Sequence, residues 1–143
     1  MTHTPRGVRL ANPGNIRLGD HWQGLARDQK DPDFCTFTAP FWGLRALAKI
    51  LLNYQGRSGL KTVRQMIERW APPVENDTGA YVRAAATAVG VDPDARIDLA
   101  GNEQHLIAMV TAIVWHENGQ QPYSAASIRS ACGAASGRLN TTE

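Results

Sequence analysis

Leu106-Ile-Ala-Met-Val-Thr-Ala-Ile-Val-Trp-His-Glu-Asn-Gly119 is the stretch from which the rest of the chain is best understood. Leu106, Val110, Ile113 and Val114 recur at helical spacing, and the next position on that apolar stripe is Glu117. Asn102 and Glu103 suit a helix entrance, and Asn118-Gly119 suits an exit. The pattern therefore predicts a carboxylic acid in the last turn, on the core side, at the negative end of the helix dipole. Apolar surroundings and that dipole both disfavour an ionised carboxylate. A carboxylic acid kept protonated near neutral pH is what general-acid cleavage of a glycosidic bond requires. The competing expectation is a Glu that has turned out to solvent as the helix frays.

Working outward, the same 3.6-residue period starts at residue 39. Thr38 is the expected cap of a helix with Pro40 in its first turn and Leu44, Leu47, Leu51 and Tyr54 along its stripe, Ile50 alongside. A second helix is predicted over residues 62–70, burying Val63, Met66, Ile67 and Trp70 and stopped by Pro72-Pro73. A third starts near Asn76-Asp77-Thr78, buries Tyr81, Val82, Ala85 and Val89, and ends at Gly90. The stretch quoted above makes the fourth. Ser124 caps a last helix through about Cys132, and the final seven residues are expected to fray.

Upstream the period shortens to two. Residues 1–11 read as an entry segment with little order of its own. Asn12-Pro13-Gly14-Asn15 predicts a type II turn, with Pro presetting the first central position and Gly accepting positive φ at the second. Residues 16–18, 22–26 and 34–37 are short candidate strands. The expected fold class is α+β: a small antiparallel β-meander packed on about five helices, in a single domain spanning residues 1–143.

Composition removes several function classes. The chain has 143 residues, 43% of them hydrophobic and 20% charged, enough to bury a core without staples. Its formal charge of +2 is mild, and Arg6, Arg9, Arg17, Arg27, Arg45, Arg57, Arg64, Arg69 and Arg83 are spread out. Nucleic-acid binding is therefore not expected. Cys35 and Cys132 make no disulfide framework and are expected as separate reduced thiols. The N-terminus lacks the apolar segment of an export signal, and no stretch is long enough for a membrane span.

No metal site is expected. His116-Glu117 lacks a second histidine four residues on, and His3, His21, His105 and His116 are scattered. Neither a Gly-rich phosphate loop nor a Gly-x-Ser-x-Gly elbow occurs, so no cofactor is implied. What remains is carboxylate chemistry, carried by Glu117 and by the acids Asp20, Asp28, Asp31, Asp33, Glu75 and Asp77. For most of these acids the ordinary alternative is a solvated loop charge or a helix cap.

Asn12-Pro-Gly-Asn-Ile-Arg17, Trp22-Gln-Gly24, Phe34-Cys-Thr-Phe37 leading to Gly43-Leu-Arg-Ala-Leu47, and Arg69-Trp-Ala-Pro-Pro-Val-Glu-Asn-Asp-Thr-Gly-Ala-Tyr81 occur in that order. Together they resemble a family of small phage-encoded proteins with a lysozyme-like domain, described as virion structural proteins or as endolysin-type muramidases. The resemblance runs from residue 6 to about residue 130. A weaker similarity is to bacterial cell-wall N-acetylglucosaminidases of the flagellar type, in which a helix ending in a catalytic Glu comes first. Here the helix resembling it, ending Glu117-Asn118-Gly119, lies at the back. The order implies a circular permutation of a lysozyme-like fold, with Glu117 in the catalytic position.

The resemblance implies cleavage of the β-1,4 glycan backbone of peptidoglycan, with Glu117 as general acid. Asp31 and Asp33 are the first candidates for a second carboxylate, with Asp20 behind them; without one, a lytic transglycosylase reaction gains ground. Asn15, Trp22, Thr36, Tyr81 and Tyr123 are the candidate sugar-binding residues, core packing being the alternative for Trp22 and Tyr81. Trp70 and Trp115 are expected in the core. Glu75 and Asp77 either orient the site or start their helix. Peptidoglycan is the expected partner of a monomer, which is expected to reach the periplasm after holin release or from a virion. The runners-up are an N-acetylglucosaminidase on the same site and a non-catalytic virion structural or glycan-binding protein.

Overall fold

Helices dominate the described residues, 4–72 and 77–137, of this computed structural model. They are α1 (Arg6–Arg9), α2 (Pro40–Gly56), α3 (Val63–Trp70), α4 (Thr78–Val89), α5 (Glu103–Asn118) and α6 (Ala125–Ser136). Four begin at side-chain caps: Thr62 accepts from the Gln65 N–H, Asp77 from Ala80, Asn102 from His105 and Ser124 from Ser127. Each such cap is worth about 1 kcal/mol relative to alanine. Three end at a left-handed glycine, Gly90, Gly119 and Gly137, where an L side chain is disfavoured. α2 starts differently. Ala39 is its N-cap, without a side-chain bond, while the hydroxyl of Thr38 donates to the Gly24 carbonyl at 3.1 Å. Pro40 presets the first turn and needs no partner for an N–H it lacks.

The apolar stripes meet in one core. Leu44, Leu47 and Leu51 of α2 are buried with Met66 and Ile67 of α3, Val82 of α4, Leu106, Val110, Ile113 and Val114 of α5, and Ile128 of α6. α2 lies chiefly on α6, whereas α4 is held between α3 and α5. Both cysteines are free and fully buried. Among the described residues, no helix is long and apolar enough to cross a membrane.

The expected α+β class is overturned, and with it the β-meander and the permuted lysozyme-like arrangement built on it. The described residues contain no sheet; the three candidate strands touch only through isolated bridges, Arg17 with Phe34 and Leu25 with Phe37. Side chains do what a ladder would have done. Asn12, fully buried, donates through Nδ2 to the carbonyls of Ile16 and Cys35, each at 2.9 Å, and its Oδ1 accepts from Ile16 N–H. Gln29 grips Thr36 in the same manner, donating to its carbonyl and accepting from its N–H. Alternation of period two reports alternating burial, and here loop backbone supplies it as well as a strand does.

Two further expectations are corrected near the N-terminus. Residues 6–9 form a helical turn, and Leu10 is buried. In the turn at residues 12–15 positive φ falls on Asn15 (52°) and not on Gly14, so it is not the type II arrangement. Gly14 instead lies close against the core: a Cβ there would lie 3.3 Å from the Leu47 methyl groups and from the Trp70 ring, a tight contact.

Candidate functional site

Three elements converge on one carboxylate. Glu117 lies in the last turn of α5 and is half-buried. Asn15 Nδ2 donates to its Oε1 at 3.0 Å, and the phenol of Tyr81 donates to its Oε2 at 3.1 Å. Both donors are neutral. Among the described residues no Lys or Arg forms an ion pair with Glu117.

Each donor is fixed by its own surroundings. Tyr81, carried by α4, is 1% exposed and stacks on the His116 ring, 3.6 Å between centroids and 19° between planes. Burial first, then the charge and hydrogen bond of Glu117, push its phenol well above the ordinary tyrosine range, while Trp70 acts in the opposite sense. Tyr81 therefore stays a donor throughout the working pH range. Asn15 is held left-handed, a conformation asparagine tolerates better than most residues. Its Oδ1, the Oδ1 of Asn118 and the Asn12 carbonyl crowd the space beside Gly7: a Cβ there would lie 2.6, 2.8 and 2.6 Å from them. α1 thus packs against the site through a residue with no side chain. Asn118 ties the pieces together, donating at 2.8 Å to both the Pro13 and Val114 carbonyls.

Glu117 opens onto a groove of about 390 Å³ lined by Asn15, Arg17, Asp20, Phe34, Tyr54, Trp70 and Ala71 among others. That volume falls within the range of small-ligand sites. The groove combines aromatic faces, an amide and a guanidinium, and Asp20 is the second carboxylate in its wall. Burial raises the Tyr54 phenol above its usual range, leaving it a hydrogen-bond donor.

The other sequence candidates are dispersed. Asp31 is tied to Arg6 by a two-point ion pair, with Arg6 Nε at 2.7 Å, and also accepts from the N–H groups of Asp33 and Phe34. The Arg6 guanidinium holds its carboxyl well below the usual range. Asp33 shares that guanidinium at 3.2 Å and is otherwise exposed. Neither lines the groove. Thr36 is buried and accepts from Lys30 N–H through its hydroxyl. Trp22 packs against the core from its edge. Tyr81 reaches Glu117 from beneath and is too buried to meet a sugar. Tyr123 belongs to a separate hollow beside Phe41 and Pro122. Asp77 caps α4. Glu75 lies outside the described residues.

Sequence reasoning missed several groove residues. Arg17, Tyr54 and Trp70 line it, and Trp70 is thus not the simple core residue expected. Trp115, also expected in the core, is 58% exposed. The signal for Tyr54 and Trp70 was present, since each closes an apolar helical stripe at its C-terminal end, where a stripe meets the edge of the core. Nothing in the sequence marked Arg17 or the clamp between Arg6 and Asp31.

The fold and the site define a small, mainly helical protein with one carboxylate held by two neutral donors at the wall of a polar groove. No family model matches the chain. It is 35% identical over 128 residues to Protein P5 of Pseudoalteromonas phage PM2, an alignment covering 87% of this chain and 78% of the phage protein. The chain belongs to the family of that phage protein.

Proposed function

We propose that the protein cleaves the glycan strands of peptidoglycan, with Glu117 as general acid, during phage lysis or cell-wall penetration. The observation that carries this reading is the Glu117 carboxylate, positioned at both oxygens by Asn15 and Tyr81 and free of any cationic partner among the described residues. The two donors fix the orientation of the carboxyl group at the groove wall, and each oxygen keeps a lone pair beyond the one they occupy.

Glu117 donates its proton to the glycosidic oxygen as the C1–O bond breaks, the bonding pair leaving with that oxygen. The positive charge develops on the sugar left behind, and Asp20 is the acid in the groove wall suited to balance it. Addition of water at C1 returns a proton to Glu117; addition of a hydroxyl of the same sugar does likewise and is the transglycosylase outcome. Arg17, Tyr54 and Trp70 supply the guanidinium, hydroxyl and aromatic surfaces along which sugar rings are held. Which bond is cut, muramidase or glucosaminidase, depends on how the acetamido and lactyl groups sit against them.

A second reading is favoured by the same geometry. Both Glu117 oxygens are engaged within the fold, as in a purely structural carboxylate, which suits a non-catalytic virion structural or glycan-binding protein. The two readings part on one variant. Wild type is expected to lyse permeabilised Gram-negative cells and to solubilise purified sacculi, and Glu117→Gln, nearly isosteric, is expected to lose at least about 100-fold in rate while remaining folded. Equal lysis by both proteins would remove Glu117 from the mechanism, and lysis by neither would favour the structural reading.

A further inference from the structure

A group of cations not used by the Glu117 site lies on the far side of α2. Ile50 and Tyr54, one turn apart, line the Glu117 groove, whereas Leu52 and Gly56, one turn apart on the opposite face, line a second cavity of about 570 Å³. Lys49, Lys61 and Arg96 all border that cavity, with Asp98 the one acid among its lining residues. Among the described residues none of the three cations forms an ion pair. Three cations against one carboxylate leave an excess of two positive charges facing one hollow. An excess of positive charge around one hollow favours an anion within it.

The main-chain segments that carry Lys61 and Arg96 are tied together and to α2. An isolated bridge pairs Thr62 with Arg96, and Ile97 N–H donates to the Lys61 carbonyl at 2.9 Å, so the main chains carrying Lys61 and Arg96 run side by side. Gln55 fastens both segments to α2. Its Nε2 donates to the carbonyls of Leu60 and Ile97 at 3.1 and 2.9 Å, and its Oε1 accepts from Leu99 N–H at 2.7 Å. On α2 itself, Lys49 reaches toward α6, its Nζ 3.4 Å from the Ala135 carbonyl. Leu52, Leu60 and Ile97 add apolar surface to the wall.

We propose that this cavity binds a phosphate monoester, the phosphoryl group held by Lys49, Lys61 and Arg96 and the body of the ligand resting on Leu52, Leu60 and Ile97. The charge sets the class: a phosphate monoester carries close to two negative charges at neutral pH and matches the excess of two, where a single carboxylate would leave one cation unmatched. Arg96 adds a forked donor suited to phosphoryl oxygens. The site is independent of Glu117, since α2 stands between the two cavities.

The test titrates the full chain with sn-glycerol 3-phosphate by calorimetry. In parallel it measures co-sedimentation with vesicles of phosphatidylcholine, with and without phosphatidic acid. Wild type is expected to bind at least one phosphate monoester probe, and Lys61→Gln and Arg96→Gln are each expected to weaken that binding at least about tenfold. Lys30→Gln, a cation outside the cavity, and Glu117→Gln are expected to leave it unchanged. Amide shifts on titration are expected at residues 49–56, 60–61 and 96–97, a readout that does not depend on any substitution. Binding of the soluble probe marks a free phosphorylated ligand, and binding confined to phosphatidic acid vesicles marks a lipid headgroup. Binding to neither probe, wild-type affinity in both cavity variants, or equally tight binding of succinate would each overturn the proposal.

Discussion

Glu117 is positioned by two hydrogen bonds of different origin, and each can be removed separately. Tyr81→Phe deletes the phenol oxygen and leaves Asn15 as the carboxylate's remaining donor. Because hydrogen bonds to charged groups contribute about 1.5–3 kcal/mol, and the freed oxygen can regain water from the groove, the expected loss in urea unfolding is roughly 1–2 kcal/mol. Activity should fall with it, mainly in kcat, since the buried Tyr81 does not meet the sugar. The Arg6 clamp gives a different signature. The carboxyl of Asp31 titrates below its ordinary range in the folded state. The stability it contributes is therefore present above the unfolded-state carboxylate pKa and is lost as pH falls through the folded value. Thermal unfolding followed from pH 7 into the acid range should show that loss in the wild type and a shallower one in Asp31→Asn, whose Tm at neutral pH is lower.

At the scale of elements, the helices were legible because periodicity, caps and stops agreed. Asn102 and Ser124 cap where their side chains predict, and Gly90 and Gly119 stop where a left-handed residue is needed. The segment over residues 10–38 was misread for a physical reason. Its apolar residues alternate, yet backbone pairing stops at two isolated bridges and the side chains of Asn12 and Gln29 take up further backbone groups, a choice about which spacing carries no information. The short α1 was missed because one turn leaves no period to detect. Its role makes a sharp prediction: Gly7→Ala pushes a methyl group to within 2.6 Å of the Asn12 carbonyl and of Asn15 Oδ1. Overpacking of this kind costs about 1–3 kcal/mol, and the displaced Asn15 should lower activity more than stability alone explains. Calorimetry and sacculus digestion on the same preparation would separate the two effects.

For the whole molecule, a single core holds the groove walls in register. Leu47 is fully buried in that core, and its methyl groups also lie beneath Gly14 in the turn that carries Asn15. Leu47→Ala should therefore destabilise the protein by about 2–5 kcal/mol in chemical denaturation and loosen the site together with the fold. Of the candidate site, Glu117, Asn15 and Tyr81 were named from the sequence; how they meet depends on contacts between segments far apart in the chain. Tyr81 meets Glu117 across 36 positions, and Asp20 enters the groove wall while Asp31, expected first, is held by Arg6. Kinship with the phage PM2 protein places the chain in a phage protein family, and the proposed chemistry rests on Glu117. Mass spectrometry of fragments released from purified sacculi tests that claim most directly, with wild type, Glu117→Gln and Asp20→Asn compared at equal folded concentration. The account predicts soluble disaccharide-peptides from wild type, almost none from Glu117→Gln and a reduced yield from Asp20→Asn; the same fragments in the same yield from wild type and Glu117→Gln would contradict it.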